Sequence, residues 1–265
     1  ALNMGIEKME GEYFSWLSHD DIYYPEKIEK QIEALKNLED KTTVVYSSIE
    51  IIDQNGKTIE YQDLGKKYKV EDLNKPLFAF FHLALNGCAL LINKKHFERV
   101  GKFNTSHPTT QDYDMWFRIL RKSNIFYEGS ILVKSRSHSE QGSKFFIDKH
   151  IKECNTFWLE IFSIISEKGI LELSETEAEF YDDLYHSFRN LTMYDEVINY
   201  LCQKMLENRL IEYWDLEPKK QEDYIKEIAY SIFNSYNNTE SIHNILSYGE
   251  KHKARIVFFT GNWVD

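Results

Sequence analysis

The chain alternates between stretches with apolar residues at helical spacing and short β-branched or aromatic runs that are typical of strands. Ile28, Ile32 and Leu35 recur every three or four residues, whereas the run over 43–52 is rich in Val and Ile and precedes Asn55-Gly56, a hairpin signal. The pattern predicts helices over 2–9, 25–38, 78–85, 94–100 and 112–122, strands over 12–17, 43–52, 57–61, 88–92 and 125–133, and a polar loop over 62–75. This alternation predicts an α/β fold with a mixed sheet and surrounding helices.

From residue 147 onward the pattern changes to helices only. One long apolar stripe predicts a helix that starts at about residue 147, and Ser174 with Glu177 forms a capping-box pattern for the next helix. Further apolar stripes predict helices around 197–205 and 224–233. The first α/β part is therefore followed by an all-helical region.

The expected organisation has three parts. These are an α/β domain over 1–146, a helical domain or linker over 147–250, and the first strand of a further α/β domain over 251–265. The last expectation rests on the apolar run over 255–259, which is followed by Thr260-Gly261. Because the chain starts inside a predicted helix and stops just after this run, we expect a piece of a longer protein.

The composition narrows the possible classes of function. The 265 residues are 42% hydrophobic and 28% charged, as in a soluble globular protein, and the net charge of -11 argues against general nucleic-acid binding. Cys88, Cys154 and Cys202 are far apart and fit neither a disulfide framework nor a zinc site, which favours a reducing cytoplasm. No apolar run reaches the roughly 18 residues of a membrane span. We expect a cytoplasmic protein without a transmembrane segment, with a peripheral position at the inner face of the membrane as the alternative.

The sequence Ser18-His19-Asp20-Asp21 follows a predicted strand, at the place where open α/β sheets bind ligands. Two adjacent carboxylates there could hold a hard divalent cation, which would offset the charge of a diphosphate leaving group. The alternative is that Asp20 and Asp21 only cap the helix that begins near Pro25. For the pair taken alone, the capping interpretation is favoured.

Two further patterns carry possible chemistry. Gln111-Asp112-Tyr113-Asp114 opens a predicted helix, where one acid could face a cleft as a general base, or could again serve only as a cap. Arg136 and His138 follow the strand predicted over 125–133, where they could meet a phosphate or a metal ion. A single His is more often structural or exposed, so this pattern is weak alone.

Taken in order, these motifs resemble those of family-2 glycosyltransferases of the GT-A fold. The resemblance covers roughly residues 1–143 and is carried, in chain order, by Ala1–Gly5, Gly11–Tyr13, Leu17–Asp21, Pro25–Gln31, Gly87–Ile92, Val100–Phe103, Gln111–Arg118 and Arg136–His138. Each motif alone is only moderately specific for this family. The whole set, in this order and at this approximate spacing, is a strong indication of it.

The resemblance implies a cation site. Asp20 matches the second acid of the Asp-x-Asp motif that binds metal and the donor diphosphate, Asp21 follows it, and Ser18 stands in place of the first acid. His138 matches a position that often contacts metal or diphosphate, and Arg136 would steady the same phosphates. The implied cofactor is Mn²⁺ or Mg²⁺, with Asp20, Asp21 and His138 as ligands.

The resemblance also implies the reaction. Asp112 matches the general base of an inverting transfer, and Gln111 stands where the family has an acid. The implied donor is a nucleotide sugar, and we expect a UDP-sugar. The implied acceptor is a glycan, a lipid-linked molecule or a protein. The nucleotide-binding first half of such a domain would precede residue 1, so we expect weak or no activity from this chain alone.

Two other functions stay open from the residues. The chain could be a non-catalytic interaction module, or an inactive glycosyltransferase fragment, in which the acids are caps and the helices over 147–249 bind a partner. It could also be a metal-dependent phosphohydrolase that uses Asp20 and Asp21, although such an enzyme needs a further cluster of acids or lysines that we do not find in the sequence.

Overall fold

The computed structural model describes residues 2–138 and 146–215, with side chains described up to residue 208. The chain forms two compact units, of which the first ends at Ile165 and the second begins at Ser166. The division therefore falls after Ile165 and not after residue 146, and the helix that follows residue 146 belongs to the first unit. The helix expected over 224–233 and the strand expected over 251–265 lie outside the described residues.

The first unit is a mixed α/β structure, which confirms the predicted fold class. Its elements are, in chain order, α1 (Leu2–Glu7), β1 (Tyr13–Phe14), β2 (Ile22–Tyr23), α2 (Lys27–Asn37), β3 (Val44–Ile52), β4 (Thr58–Gln62), α3 (Leu64–Lys67), α4 (Val70–Leu73), α5 (Phe78–Phe81), a 3-10 helix (Gly87–Ala89), β5 (Ile92–Asn93), α6 (Lys94–Val100), α7 (Gln111–Leu120), β6 (Ile125–Arg136) and α8 (Ile147–Ile164).

The main sheet has four strands in the order β2-β6-β3-β4, and β1 pairs with β5 in a separate two-stranded sheet. Strands β3 and β6 are parallel, from Val44 opposite Ile125 to Ile52 opposite Arg136, with two register shifts between them. The outer strands β2 and β4 are antiparallel to their neighbours. Because parallel strands end at the same edge of a sheet, the residues that follow β3 and β6 lie side by side.

An aromatic cluster joins helices α5, α7 and α8. The ring of Trp158 on α8 lies 4.9 Å from that of Phe80 and 6.0 Å from those of Phe81 and Tyr113, between ring centroids. Trp158 is 2% exposed and Phe80 is fully buried. Aromatic pairs at such distances contribute roughly 0.5–1.5 kcal/mol each beyond their burial. This packing explains why α8 belongs to the first unit.

Three short elements differ from the predicted ones for a local reason in each case. The strand predicted over 88–92 is reduced to β5, because the side chain of Asn86 accepts the N–H of Cys88 and turns the chain into the 3-10 helix. The expected loop over 62–75 contains α3 and α4, and Asn74 is tied down by the N–H of Tyr127. The strand predicted over 12–17 is paired only at Tyr13–Phe14.

The second unit, as far as it is described, consists of α9 (Glu167–Leu171), α10 (Glu177–Phe188), a 3-10 helix (Thr192–Tyr194) and α11 (Asp195–Asp215). Leu184, Val197 and Leu201 are almost fully buried in this unit. Among the described helices of the chain, none is both long enough and apolar enough to cross a bilayer.

The capping box predicted at Ser174 and Glu177 is wrong by two residues. Helix α10 has Thr176 as its N-cap, and the Thr176 hydroxyl accepts the N–H of Glu179 at 3.1 Å. The sequence Thr-x-x-Glu fits the same pattern, and the two overlapping matches cannot be separated without knowing where the helix begins.

The N-cap of α10 can be tested with a pair of variants. We expect Thr176→Ala to lower the free energy of unfolding by about 1 kcal/mol, because the Glu179 N–H loses its acceptor. Ser174→Ala should change it by less than about 0.5 kcal/mol. Chemical denaturation of both variants provides the measurement, and a larger effect of Ser174→Ala would restore the original prediction.

Candidate functional site

The acidic loop, residues 18–21, is held in place at both of its ends. The N–H of Ser18 donates to the thiol of Cys88 at 3.3 Å, and the N–H of Asp21 donates to the carbonyl of Ser18 at 3.3 Å. Directly after the loop, Ile22 pairs with Lys134 near the end of β6. This pairing carries the loop to the edge of the sheet where β3 and β6 end.

Asp20 and His138 face one another across this edge. The His138 Nε2 and the Asp20 Oδ2 lie 2.8 Å apart, and each side chain is about one fifth exposed. Burial would raise the pKa of Asp20, but the hydrogen bonds from His138 and from its own backbone N–H, with the charges of His19 and His138, lower it overall. The pair is therefore an ionised carboxylate beside an imidazole, both within reach of solvent.

Asp21 points the other way and is fully engaged with the protein. Its Oδ1 accepts the N–H of Arg136 at 2.8 Å, and its Oδ2 accepts the thiol of Cys88 at 3.2 Å. Burial, together with the charge of Asp21, raises the pKa of the Cys88 thiol to about 12, so this thiol stays protonated and acts as a donor. Asp21 was predicted as a metal ligand, and in the structure its two oxygens fasten the loop to β6 and to Cys88.

The guanidinium of Arg136 binds backbone carbonyls. Its Nε donates to the carbonyl of Asp20 at 3.0 Å, and its Nη1 donates to the carbonyls of Asp53 and Gln54 at 2.9 and 3.1 Å. Arg136 was predicted to steady phosphates. These contacts link the acidic loop to the turn that follows β3.

Neither acidic segment supplies a helix cap. Helix α2 has Glu26 at its N-cap position without a side-chain cap bond, and Asp20 and Asp21 bind other groups. Helix α7 begins at Gln111 after the N-cap residue Thr110. The prediction that Asp20, Asp21 or Asp112 is the N-cap residue of the following helix is therefore wrong, although Asp112 accepts an N–H in the first turn of α7.

Asp112 lies in the first turn of α7. Its Oδ1 accepts the N–H of Tyr113 at 2.9 Å. Burial raises the pKa of Asp112, and the negative charge of Glu153 raises it further against the opposing effect of backbone N–H groups. A carboxylate with a raised pKa is a stronger base, which is the property that a general base needs.

Both acidic segments contact one short stretch, residues 85–88. The Cys88 thiol binds Asp21, and the hydroxyl of Tyr113, the residue after Asp112, donates to the carbonyl of Leu85 at 3.3 Å. Between them, a Cβ on Gly87 would lie 2.8 Å from the six-membered ring of Trp16 and 3.5 Å from that of Trp116. The ring of Trp16 leaves no room for a Cβ at Gly87, while Trp116 lies at ordinary contact distance. The stretch over 85–88 therefore joins the loop of Asp20 to the helix of Asp112.

The donor set suits a divalent cation in part. A carboxylate and an imidazole side by side match the oxygen and nitrogen ligands of Mn²⁺, and a cation with few protein ligands takes others from diphosphate and water. Within residues 2–138 and 146–215, no group of three or more His, Cys, Asp or Glu side chains is arranged to hold a metal ion. Asp20 and His138 therefore form the candidate cation pair.

Lys27 is a site-supporting residue that the sequence reasoning missed. Its Nζ is fully buried and donates to the Ser15 hydroxyl at 3.0 Å and to the Gln31 Oε1 at 2.8 Å, while the Gln31 amide donates to the carbonyl of Ala89 at 2.8 Å. This network ties α2 both to the segment between β1 and the acidic loop and to the 3-10 helix that contains Cys88. The spacing of Lys27, Gln31 and Leu35 on one helical face was a usable signal, because a Lys on the apolar face needs a buried partner.

Sequence comparison identifies similar proteins. The sequence family described as glycosyltransferase like family 2 matches residues 1–167, which include both acidic segments and α8. An uncharacterized glycosyltransferase of Rickettsia felis is 46% identical over 180 residues, which cover 68% of this chain and 30% of the relative. An uncharacterized glycosyltransferase of Rickettsia bellii is 35% identical over 269 residues, which cover 100% of this chain and 36% of the relative.

A more distant relative carries a more specific name. The amylovoran biosynthesis glycosyltransferase of Erwinia amylovora is 26% identical over 121 residues, which cover 44% of this chain and 39% of the relative. The chain spans about a third of the length of the two Rickettsia relatives.

The Lys27 network predicts a pH dependence of stability. Burial lowers the pKa of Lys27 from 10.5 to about 8. Between these two pH values the unfolded chain holds a proton on Lys27 that the folded protein lacks, so the free energy of unfolding gains a component that rises with pH. Lys27→Met should remove this component.

The measurement is denaturation of the wild type and the variant at several pH values. We expect the wild-type free energy of unfolding minus that of Lys27→Met to increase between about pH 8 and about pH 10. Lys36→Met, on the exposed side of the same helix, is the matched control. A flat or falling difference would contradict the proposed burial of the ammonium group.

Proposed function

The chain belongs to the glycosyltransferase like family 2, and from this premise we propose that it provides the cation and acceptor side of an inverting transferase of the GT-A type. The reaction moves a sugar from a nucleotide-sugar donor to an acceptor hydroxyl. The observation that carries the proposal is the arrangement around residues 85–88, which are contacted by the loop of Asp20 and by the helix of Asp112.

Asp112 acts as the general base in this proposal. The acceptor oxygen attacks the anomeric carbon, its proton passes to the Asp112 carboxylate, and the bond between the anomeric carbon and the diphosphate oxygen breaks with inversion. The raised pKa of Asp112 favours the proton transfer. Because the pKa of Asp112 is raised, the rate should begin to fall on the acidic side at a pH above the usual pKa of an aspartate.

Asp20 and His138 would hold the cation. When bound, Mn²⁺ or Mg²⁺ supplies positive charge that offsets the charge of the departing diphosphate. Asp21 and Arg136 keep the Asp20 loop in position through the bonds to β6, to Cys88 and to the carbonyls of Asp20, Asp53 and Gln54. In this proposal Asp20 binds the cation, and the neighbouring Asp21 holds the loop in place.

The substrates are proposed by analogy with the family. We take a UDP-sugar as the donor, and a glycan, a lipid-linked molecule or a protein as the acceptor. By the same analogy we propose a role in polysaccharide assembly, and the Erwinia amylovora relative is named for the biosynthesis of amylovoran. Such a role would place the enzyme in the cytoplasm, where nucleotide sugars are available, or at the inner face of the membrane.

The base assignment has a direct test. Release of nucleoside diphosphate from a panel of nucleotide sugars is measured for the full-length protein and for Asp112→Asn, which keeps the shape and removes the base. We expect the rate to fall on the order of 100-fold or more. Asp114→Asn is the matched control, because Asp114 pairs with Arg118 at 2.7 Å and should affect stability and not turnover. An unchanged rate in Asp112→Asn would refute the assigned role.

The cation pair has a separate test that needs no turnover. Isothermal titration of the full-length protein with uridine diphosphate is performed with and without Mn²⁺. We expect Asp20→Asn to weaken Mn²⁺-dependent binding by about tenfold or more, since even supporting partners of a metal site change affinity by about that factor. Asp40→Asn serves as the control, because Asp40 is also hydrogen-bonded but lies at the opposite end of β3 and β6. Equal affinities in Asp20→Asn and wild type would contradict the cation assignment.

A further inference from the structure

Helix α8 reaches the segment that precedes Asp112 through one carboxylate. The Glu153 Oε1 accepts the N–H of Thr109, the N–H of Thr110 and the hydroxyl of Thr110, each at 3.0 Å. Thr110 is the N-cap residue of α7 and is 4% exposed, and its side chain makes no cap bond to its own helix. Three donors thus converge on one oxygen of a residue 43 positions away.

We propose that Glu153 is a positioning residue for Asp112: it fixes the turn at Thr109 and Thr110, and with it the direction in which the Asp112 side chain leaves helix α7. This inference rests on the proposed role of Asp112 as the base. Thr110 lies two residues before Asp112, so a shift of the turn moves the carboxylate directly. Geometric errors of about 1 Å at a reacting group can cost on the order of 100-fold in rate.

The position of Glu153 is itself rigid. One turn further along α8, Phe157 and Trp158 are almost fully buried in the aromatic cluster with Phe80 and Tyr113. Because Tyr113 follows Asp112 in sequence, α8 holds the start of α7 from two directions. Glu153 binds the turn before the base, and Trp158 packs against the residue after it.

Glu153 also acts on Asp112 through its charge. The residue before the base, Gln111, is neutral, and its amide lies 3.5 Å from the carbonyl of Pro108. The acid near Asp112 is therefore Glu153, which lies on helix α8. Its negative charge raises the pKa of Asp112 in addition to the effect of burial. Hydrogen bonds from the turn keep Glu153 itself ionised, because they lower its pKa against the effect of burial.

Other charged groups near this turn are already engaged. On α7 itself, Asp114 pairs with Arg118 at 2.7 Å. On α8, His150 lies one turn before Glu153 and interacts with it, and burial lowers the pKa of His150. A Glu153 variant removes the charge of Glu153, and because that charge raises the pKa of His150, the pKa of His150 falls further in the variant.

Two variants separate geometry from charge. Glu153→Gln keeps an oxygen that accepts the N–H groups of Thr109 and Thr110 but removes the charge, whereas Glu153→Ala removes both. Glu160→Gln, an exposed position on the same helix, is the matched control. Hydrogen exchange of the peptide over 107–113 reports the turn without substrate, and the pH dependence of kcat and KM in the full-length protein reports the base.

We expect Glu153→Ala to lose exchange protection at Thr109 and Thr110 and to lose about 10- to 100-fold in kcat with little change in the KM for the donor. Glu153→Gln should keep the protection and most of kcat, while the acidic limb of its kcat profile moves to lower pH. The sign follows because removal of a nearby negative charge stabilises the ionised form of Asp112.

Unchanged kcat and an unmoved acidic limb in both Glu153 variants would overturn this proposal if Asp112→Asn is inactive. Should Asp112→Asn retain full activity, the base assignment fails instead, whatever the exchange data show. If Glu153→Ala does not fold, Glu153→Gln alone decides: an unmoved acidic limb overturns the proposal, and a shift to lower pH supports it.

Discussion

The parallel pairing of strands β3 and β6 determines where the candidate site can form. The two strands run in the same direction and end at Ile52 and Arg136, and the antiparallel strand β2 brings the acidic loop to the same edge. Arg136 then binds the carbonyls of Asp20 and Asp53, so the loop and the turn after β3 are joined through one side chain. Asp20 and Arg136 are 116 positions apart in the chain, and strand direction is what brings them together.

Within the loop, the two adjacent acids have different surroundings and therefore different capacities. Asp21 already accepts a backbone N–H and the Cys88 thiol, which use lone pairs on both oxygens. Asp20 has His138 as its side-chain partner at 2.8 Å and is partly exposed. Asp21 thus holds the loop, and Asp20 is the carboxylate that we propose as a cation ligand, although in sequence the two form a simple Asp-Asp pair. The raised pKa of Cys88 belongs to the same arrangement, since a thiolate could not donate to Asp21.

The sequence was sufficient to predict helices α2, α6 and α7 and strands β3 and β6. Each of these elements has a regular apolar pattern of its own, so its prediction does not require knowledge of distant residues. The residues Asp20, Asp112 and His138 could be nominated from their positions after strands and before a helix, together with the resemblance to a family. The 3-10 helix at Gly87–Ala89 could not be predicted, since it depends on the Asn86 side chain and on the ring of Trp16, which leaves no room for a Cβ at Gly87. The contacts of Asp21 and Arg136 could not be predicted for a similar reason: their partners are backbone groups and the Cys88 thiol, which lie far away in the sequence.

The extent of the first unit also could not be predicted, because it depends on contacts between residues that are distant in sequence. The apolar stripe of α8 predicts a helix, but a stripe alone does not say against which surface it packs. In the structure this surface is formed by α5 and α7, with Trp158 against Phe80 and Tyr113. Once the stripe is packed there, Glu153 on the adjoining face meets the turn before α7. A helix that the sequence assigns to a separate region therefore supports the segment with the candidate base, just as Lys27 on α2 supports the segment with the candidate cation pair.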